Sequence, residues 1–265
     1  MERTRQRRRL WPMASLLITG MALIWGLTWG LSRSQPQQDP SRQMDTQPDV
    51  TQPARQAPPA GIPELLLRLA EQNPETADLV NGWPGSDGGV IDISEDYTPG
   101  QIPHFLQWDL RWGYHPYGGD RVEDLMCLSG CGPTALSMVV VGMTGNLEAH
   151  PAAVADYAVE AGFATENDGT QWTLISRGVE HYGLSAWEVP LWEASMVQAL
   201  QTSPIVCVVG PGDFTDKGHF IVLTAYEDGR FHLLDPNSRA NSEKTWPYRE
   251  LEDQILAMWS FEAER

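Results

Sequence analysis

Hydrophobic and polar positions divide this chain into three regimes. From Leu10 to Leu31 no charged residue interrupts an apolar run, which at about 1.5 Å per residue is long enough to cross a hydrocarbon core as a helix. From 32 to 61 large apolar residues nearly vanish in favour of Gln, Pro, Ser, Asp and Thr. Such a composition cannot bury enough surface to offset chain entropy and predicts a disordered linker. After 62, helical periodicity comes first and strand-type runs come last. Pro63-Glu64-Leu65-Leu66-Leu67-Arg68-Leu69-Ala70 reads as a helix with Pro at its first position, and Asn73-Pro74-Glu75-Thr76 opens a second with Asn as its cap. Residues 82–89 read as a loop. Residues 131–142 are apolar nearly all round, which predicts a helix buried in the core, with Pro133 just inside its start and Gly142 and Gly145 bracketing its end. Residues 151–162 and 170–183 read as two further helices, the second capped by Thr170. Strands follow at 205–209, 220–226, 231–234 and 255–261. Helices first and an antiparallel sheet last predict an α+β domain over 62–265, with a short helical extension at 62–95.

The flanks of the first apolar run set its expected topology. Arg3, Arg5, Arg7, Arg8 and Arg9 precede it, so residues 1–9 are expected in the cytoplasm and the remainder beyond the membrane. Residues 10–31 then form an uncleaved transmembrane signal anchor; a cleaved signal peptide, giving a secreted domain, is the alternative, although no Ala-x-Ala site follows. The linker would hold the domain on the order of 30 Å from the membrane. The whole chain carries −17; without residues 1–9 it has 18 − 5 = 13 basic against 35 − 1 = 34 acidic residues, or −21. That surface repels nucleic acid and anionic lipid, so no nucleic-acid partner is expected and membrane contact falls to 10–31 alone. It suits cationic peptides and simple solubility equally.

Candidate chemistry centres on Ser129-Gly130-Cys131-Gly132-Pro133-Thr134-Ala135. A Cys at a helix start meets partial positive charge and free N–H groups that favour thiolate and can hold an oxyanion. His219 heads the run 220–226, and Asp235 ends the next one at Leu233-Leu234-Asp235-Pro236-Asn237. A base for the thiol and an acid to orient that base therefore follow it in order. Asn237 is an alternative orienting group. Gln107, in Phe105-Leu106-Gln107-Trp108-Asp109, precedes the Cys and is the candidate oxyanion donor. The chain has three Cys, an odd count. Cys127 and Cys207 read as small buried hydrophobes; a Cys127–Cys131 disulfide that silences the thiol is the alternative. No metal or cofactor is expected, since no second Cys/His pair stands at ligand spacing. His104, His115, His150, His181 and His232 read as surface or packing residues. Asp213 and Asp216 read as solvated, or as a site for calcium or an amine, and Trp108, Trp112 and Trp172 as core or cleft wall.

Hairpin geometry tests the His–Asp pairing. A two-residue Asp228-Gly229 loop pairs Glu227 with Arg230 and sets Asp235 across from Val222, on the opposite face from His219. A three-residue loop pairs Tyr226 with Arg230 and sets Asp235 across from Ile221, diagonal to His219 on its own face. A His219–Asp235 pair therefore predicts the three-residue loop with a bulge at Gly229.

Gln107-Trp108-Asp109-x-Arg111-Trp112-Gly113, Ser129-Gly130-Cys131-Gly132-Pro133-Thr134, Gly169-Thr170-x-Trp172, Gly212-Asp213-Phe214-Thr215 with Gly218-His219-Phe220-Ile221-Val222-Leu223, and Asp235-Pro236-Asn237-Ser238 together resemble the bacterial peptidase C-39-like family. These are papain-like cysteine peptidases related to the double-glycine leader peptidases. The resemblance covers about Ile62 to the end. It implies a papain-like fold with Cys131 as nucleophile, His219 as base, Asp235 as the group orienting it and Gln107 as oxyanion donor. The chain has no Walker motif and no further spans, so double-glycine cleavage is not carried over. The expected activity is a membrane-anchored, extracytoplasmic cysteine peptidase acting on a peptide or protein substrate, as a monomer. Acyl transfer of the transglutaminase type on the same residues, and a non-catalytic peptide-binding module, are the alternatives. The extension at 62–95 is either an accessory pair of helices packed on the domain or a removable propeptide.

Overall fold

The structure is a computed structural model that describes residues 61–85, 89–165 and 169–264. The basic tail, the apolar segment 10–31 and the linker up to residue 60 lie outside the described residues. Among those described, no helix is long and apolar enough to cross a membrane.

The chain begins with α1 (Glu64–Gln72) and α2 (Ala77–Asn81), separated by a 3-10 turn at Pro74–Thr76. Asn73 caps that turn, its side chain accepting from the Glu75 N–H at 3.1 Å. α3 (Met126–Ser129) passes through Gly130 into α4 (Cys131–Thr144), and α5 (Pro151–Glu160) follows. The short strands β1 (Ala164–Thr165) and β2 (Gly169–Thr170) lead to α6 (Thr173–Ser176), a 3-10 segment at Gly178–Tyr182, β3 (Leu184–Glu188) and α7 (Glu193–Leu200). Then come β4 (Ile205–Val209), β5 (His219–Glu227), β6 (Arg230–Leu234), α8 (Arg239–Ser242), β7 (Thr245–Trp246), α9 (Tyr248–Leu251) and β8 (Ile255–Ala263). Six strands form one antiparallel sheet in the order β3-β8-β4-β5-β6-β7.

Alternation along the central strands builds a core on each face. Val206 and Val208 of β4, with Phe220 and Val222 of β5, pack with α4, α5 and α6. Ile205, Cys207, Val209, Ile221 and Leu223 pack on the other face with Met196 of α7 and Leu251 of α9. α4 is buried continuously from Gly132 to Val141, which explains why its sequence lacks a polar face. Gly132 is a glycine by necessity: a Cβ there would lie 2.4 Å from the Thr170 hydroxyl oxygen. A third cluster joins Leu66, Leu69, Leu79 and Val80 of α1 and α2 to Leu106, Trp108, Tyr114 and Cys127, so the extension packs on the body of the domain.

α4 ends at Thr144, between the Gly142 and Gly145 expected to bracket it, with Gly145 in the left-handed conformation at φ 71°. Two expectations are corrected. Residues 170–183 do not form one helix: Thr170 pairs with Ala164 in β2, and Arg177 leaves helical geometry at φ −131° between α6 and the 3-10 segment. Two short pieces suffice to bury Leu174, Ile175 and Val179. The β5–β6 loop has two residues rather than three, Asp228 at φ 49° and Gly229 at φ 78°, a turn whose twist matches its strands. The extra residue lies in the strand instead. Ala225 pairs with His232 but Leu223 pairs with Leu233, leaving Thr224 as a bulge without an opposite residue. Continuing the shifted ladder sets Asp235 across from Ile221, on the face of His219. β3 and α7 were not anticipated from the sequence.

Candidate active site

Packing brings the predicted residues together from three elements. Cys131 is the first residue of α4, His219 the first of β5, and Asp235 follows the last residue of β6. His219 Nε2 donates to Asp235 Oδ1 at 2.7 Å, and the two residues are 6% and 1% exposed. The Cys131 side chain lies beside the same ring, close enough to raise it. With Nε2 turned to Asp235, Nδ1 is the ring nitrogen left for the thiol. Burial pushes the His219 imidazole down, but the hydrogen bond to Asp235 and the neighbouring Cys131, with the charges of both, raise it to about 10. Burial likewise pushes the Asp235 carboxyl up, and its bonds to His219, Asn241 and the Asn237 N–H hold it below its ordinary value. A thiol against a proton-carrying imidazole, itself fixed by a buried carboxylate, can pass a proton in either direction.

The Asp235 carboxylate is satisfied from within its own loop. Oδ1 also accepts from the Asn237 N–H at 2.8 Å, and Oδ2 accepts from Asn241 Nδ2 at 2.8 Å. The Asp235 N–H donates to Ser242 Oγ at 2.8 Å. Asn237 makes no bond to His219; its carbonyl accepts from Asn73 Nδ2 at 2.6 Å and Trp108 Nε1 at 3.0 Å. Asp235 is therefore the group that meets the imidazole.

Gln107 links the two sides of the site. Its N–H donates to the Pro236 carbonyl at 2.8 Å, beside Asp235, and its Nε2 donates to the Cys127 carbonyl at 2.9 Å, one turn ahead of Cys131. Nε2 retains a second N–H, while Oε1 is buried with no hydrogen-bond partner.

Several neighbours were missed in the sequence. Tyr117 is close enough to Cys131 to feel its charge, and its hydroxyl meets Thr170 Oγ1 at 2.8 Å. Burial, above all, raises this phenol, so it stays neutral. His104, expected as packing, hydrogen-bonds the Asp235 carbonyl through Nε2 at 3.0 Å; since a carbonyl only accepts, this nitrogen carries the proton. Burial pushes the His104 ring below its ordinary value, which keeps it neutral. Only Ser238 had a legible signal: an Asx-Pro-Asn-Ser stretch ending in a good cap, which accepts from the Asn241 N–H at 3.1 Å at the start of α8.

The remaining candidates resolve plainly. All three cysteines are free, and burial pushes the Cys127 thiol up to about 12 and raises Cys207 too. Asp213 is tied to Gln254 through Oδ2 at 2.7 Å. His115 pairs with Asp156 at 2.7 Å, His150 caps α5, His181 stacks on Tyr157, and His232 lies 3.6 Å from Glu227. Trp108 and Trp112 are buried, whereas Trp172 is 44% exposed with its edge against Trp259. Among the described residues no group of His, Cys, Asp and Glu is arranged to hold a metal.

Comparison with known proteins gives a consistent result. The Peptidase_C39 like family matches residues 100–261, which include Cys131, His219, Asp235 and Gln107. The peptidase domain of Streptococcus ComA, described as a bifunctional ABC transporter in a quorum-sensing pathway, is similar over 57% of this chain and 99% of its own, at 15% identity and TM-score 0.41. A double glycine motif protease from an AMS/PCAT transporter, solved with its leader peptide, is similar over 58% of this chain and 95% of its own, at 16% identity and TM-score 0.34. A C39-like peptidase from Bacillus anthracis is similar over 62% of this chain and 96% of its own, at 15% identity and TM-score 0.35. No curated protein matches the chain.

Proposed function

Because this chain belongs to the Peptidase_C39 like family of papain-like fold, we propose that it is a cysteine peptidase in which Cys131 is the nucleophile, His219 the acid and base, Asp235 the group that orients His219, and Gln107 an oxyanion donor. The observation that carries this reading is the buried His219 ring set between the half-buried Cys131 and the buried Asp235, 2.7 Å from Nε2. Cys131 as thiolate attacks a peptide carbonyl, and the second N–H of Gln107 Nε2 together with the Cys131 N–H holds the oxygen as it becomes negative. As the tetrahedral intermediate collapses, the imidazolium gives its proton to the leaving amine. His219 then takes a proton from water, whose hydroxide releases the acyl group from sulfur and restores the thiolate. Asp235 keeps the ring in one orientation throughout. The protein belongs outside the cytoplasmic membrane in this reading, held there by residues 10–31, and its acceptor is a peptide or protein.

Digestion of a peptide library by the reduced protein tests this, with Cys131→Ala alongside. Cleavage by the parent and none by the variant is expected. Incorporation of an added amine without hydrolysis would replace peptidase by acyl transferase. No reaction of either kind would leave a binding module.

A further inference from the structure

One cluster of polar contacts lies outside the site and has no role in the chemistry above. Residues 235–242, a turn that leads into α8, carry the carboxylate on which the orientation of His219 depends. Inside the loop, the Asn237 N–H and the Asn241 amide aim the Asp235 carboxylate. Asn237 and Asn241 are in turn braced by residues more than 160 positions earlier in the chain. Glu75 spans the first turn of α8: Oε1 accepts from Ser238 Oγ at 3.2 Å and the Ala240 N–H at 3.3 Å, and Oε2 accepts from the Arg239 N–H at 3.0 Å. The Arg239 guanidinium lies 3.8 Å from the same carboxylate and stacks over Trp108, 4.5 Å from its ring centre. Asn73 Nδ2 donates to the Asn237 carbonyl at 2.6 Å, while its own Oδ1 accepts from the Glu75 N–H.

These contacts form a relay. An ionised carboxylate accepting three donors of one helical turn makes charge-assisted bonds, stronger than neutral ones and fixed in direction. The turn it fixes carries Asn241, whose amide meets Asp235 Oδ2. Both Asn73 and Glu75 precede the residues 100–261 that match the family model, so the bracing comes from the helical extension.

We infer that Glu75, with Asn73, is a positioning residue of this site: it holds the loop 235–242 so that Asp235 fixes the His219 ring. The inference rests on the reading of Cys131, His219 and Asp235 as one site. It also opposes the propeptide alternative for residues 62–95, since release of that segment would withdraw the support from Asp235.

The test compares the full-length parent with Glu75→Gln, Glu75→Asp, Asp235→Asn and the double variant Glu75→Gln/Asp235→Asn. It uses the imidazole N–H proton resonance of His219 and the pH profile of Cys131 alkylation by iodoacetamide, with thermal unfolding in parallel. Neither readout depends on peptide hydrolysis, so failure of the peptidase reading and failure of this inference are separable. Glu75→Gln should shift or broaden the hydrogen-bonded imidazole proton and slow alkylation near neutral pH roughly 10- to 100-fold, the cost of misplacing a catalytic group by about 1 Å. Glu75→Asp should recover part of the loss. In the Asp235→Asn background, Glu75→Gln should add nothing. A folded Glu75→Gln protein with the parent's resonance and alkylation profile would overturn the inference, as would a Glu75→Gln effect of full size when Asp235 is already replaced.

Discussion

α4 and β5 differ from the loop 235–242 in how each holds its part of one site. Cys131 and His219 stand on regular elements fixed by apolar packing: α4 is buried over ten consecutive residues, and Phe220 to Leu223 behind His219 are buried on both faces of the sheet. Asp235 stands one residue beyond a strand, in a loop that accepts hydrogen bonds from Asn73, His104 and Trp108 and donates to Glu75. Packing spreads a position over many contacts of which no single one is decisive. A polar brace concentrates it in a few donors and acceptors, each of which can be removed by one substitution. Cys131 and His219 are therefore held by contacts that tolerate single changes, and Asp235 by contacts that do not.

Changes at the loop should strike chemistry and spare stability, and changes in the scaffold should do the reverse. The largest effect is expected from Asp235→Asn, which keeps the shape but removes the charge facing His219; steady-state peptide hydrolysis should fall about 10²- to 10⁴-fold. Leu136→Ala in α4 should cost about 2–5 kcal/mol in denaturant unfolding, while Cys131 in the folded fraction keeps the parent's alkylation rate. If Leu136→Ala silenced the thiol at unchanged stability, the contrast between scaffold and loop would fail.

The smallest effect is on stability against pH, and its sign differs at the two ends. Asp235 is held below its ordinary value, so its contribution is in place above about 4 and is lost as pH falls through its folded value. His219 is raised, so its contribution is complete below about 6.5 and is lost as pH rises through about 10. The thermal midpoint of the parent should decline at both ends, and Asp235→Asn should flatten both declines.

The same contrast decides what could be read before the fold was known. α4 and the strands β4, β5 and β6 were legible because apolar runs of the right length have few other places to go. Cys131, His219 and Asp235 were legible because each ends or begins such a run. The bulge at Thr224 was not, since one threonine inside an apolar strand looks like any other and only the ladder reveals that it lacks a partner. The His219–Asp235 contact is thus present although the loop length expected from it proved wrong. Asn73 and Glu75 showed themselves only as a helix start, because no pattern in a sequence links them to a loop more than 160 residues away. His104 was set aside for the same reason. Thr170 was read as a helix cap, whereas its hydroxyl serves Tyr117 beside the thiol.

The central claim is that Cys131 differs from the other two thiols because His219 and Asp235 face it. Mass-spectrometric measurement of iodoacetamide labelling at Cys131, Cys127 and Cys207 of the native protein near neutral pH tests this most directly. Cys131 should be labelled alone, with Cys127 and Cys207 silent in their buried positions, and His219→Ala should slow it sharply. Equal labelling of all three thiols, or a rate at Cys131 indifferent to His219, would contradict the account.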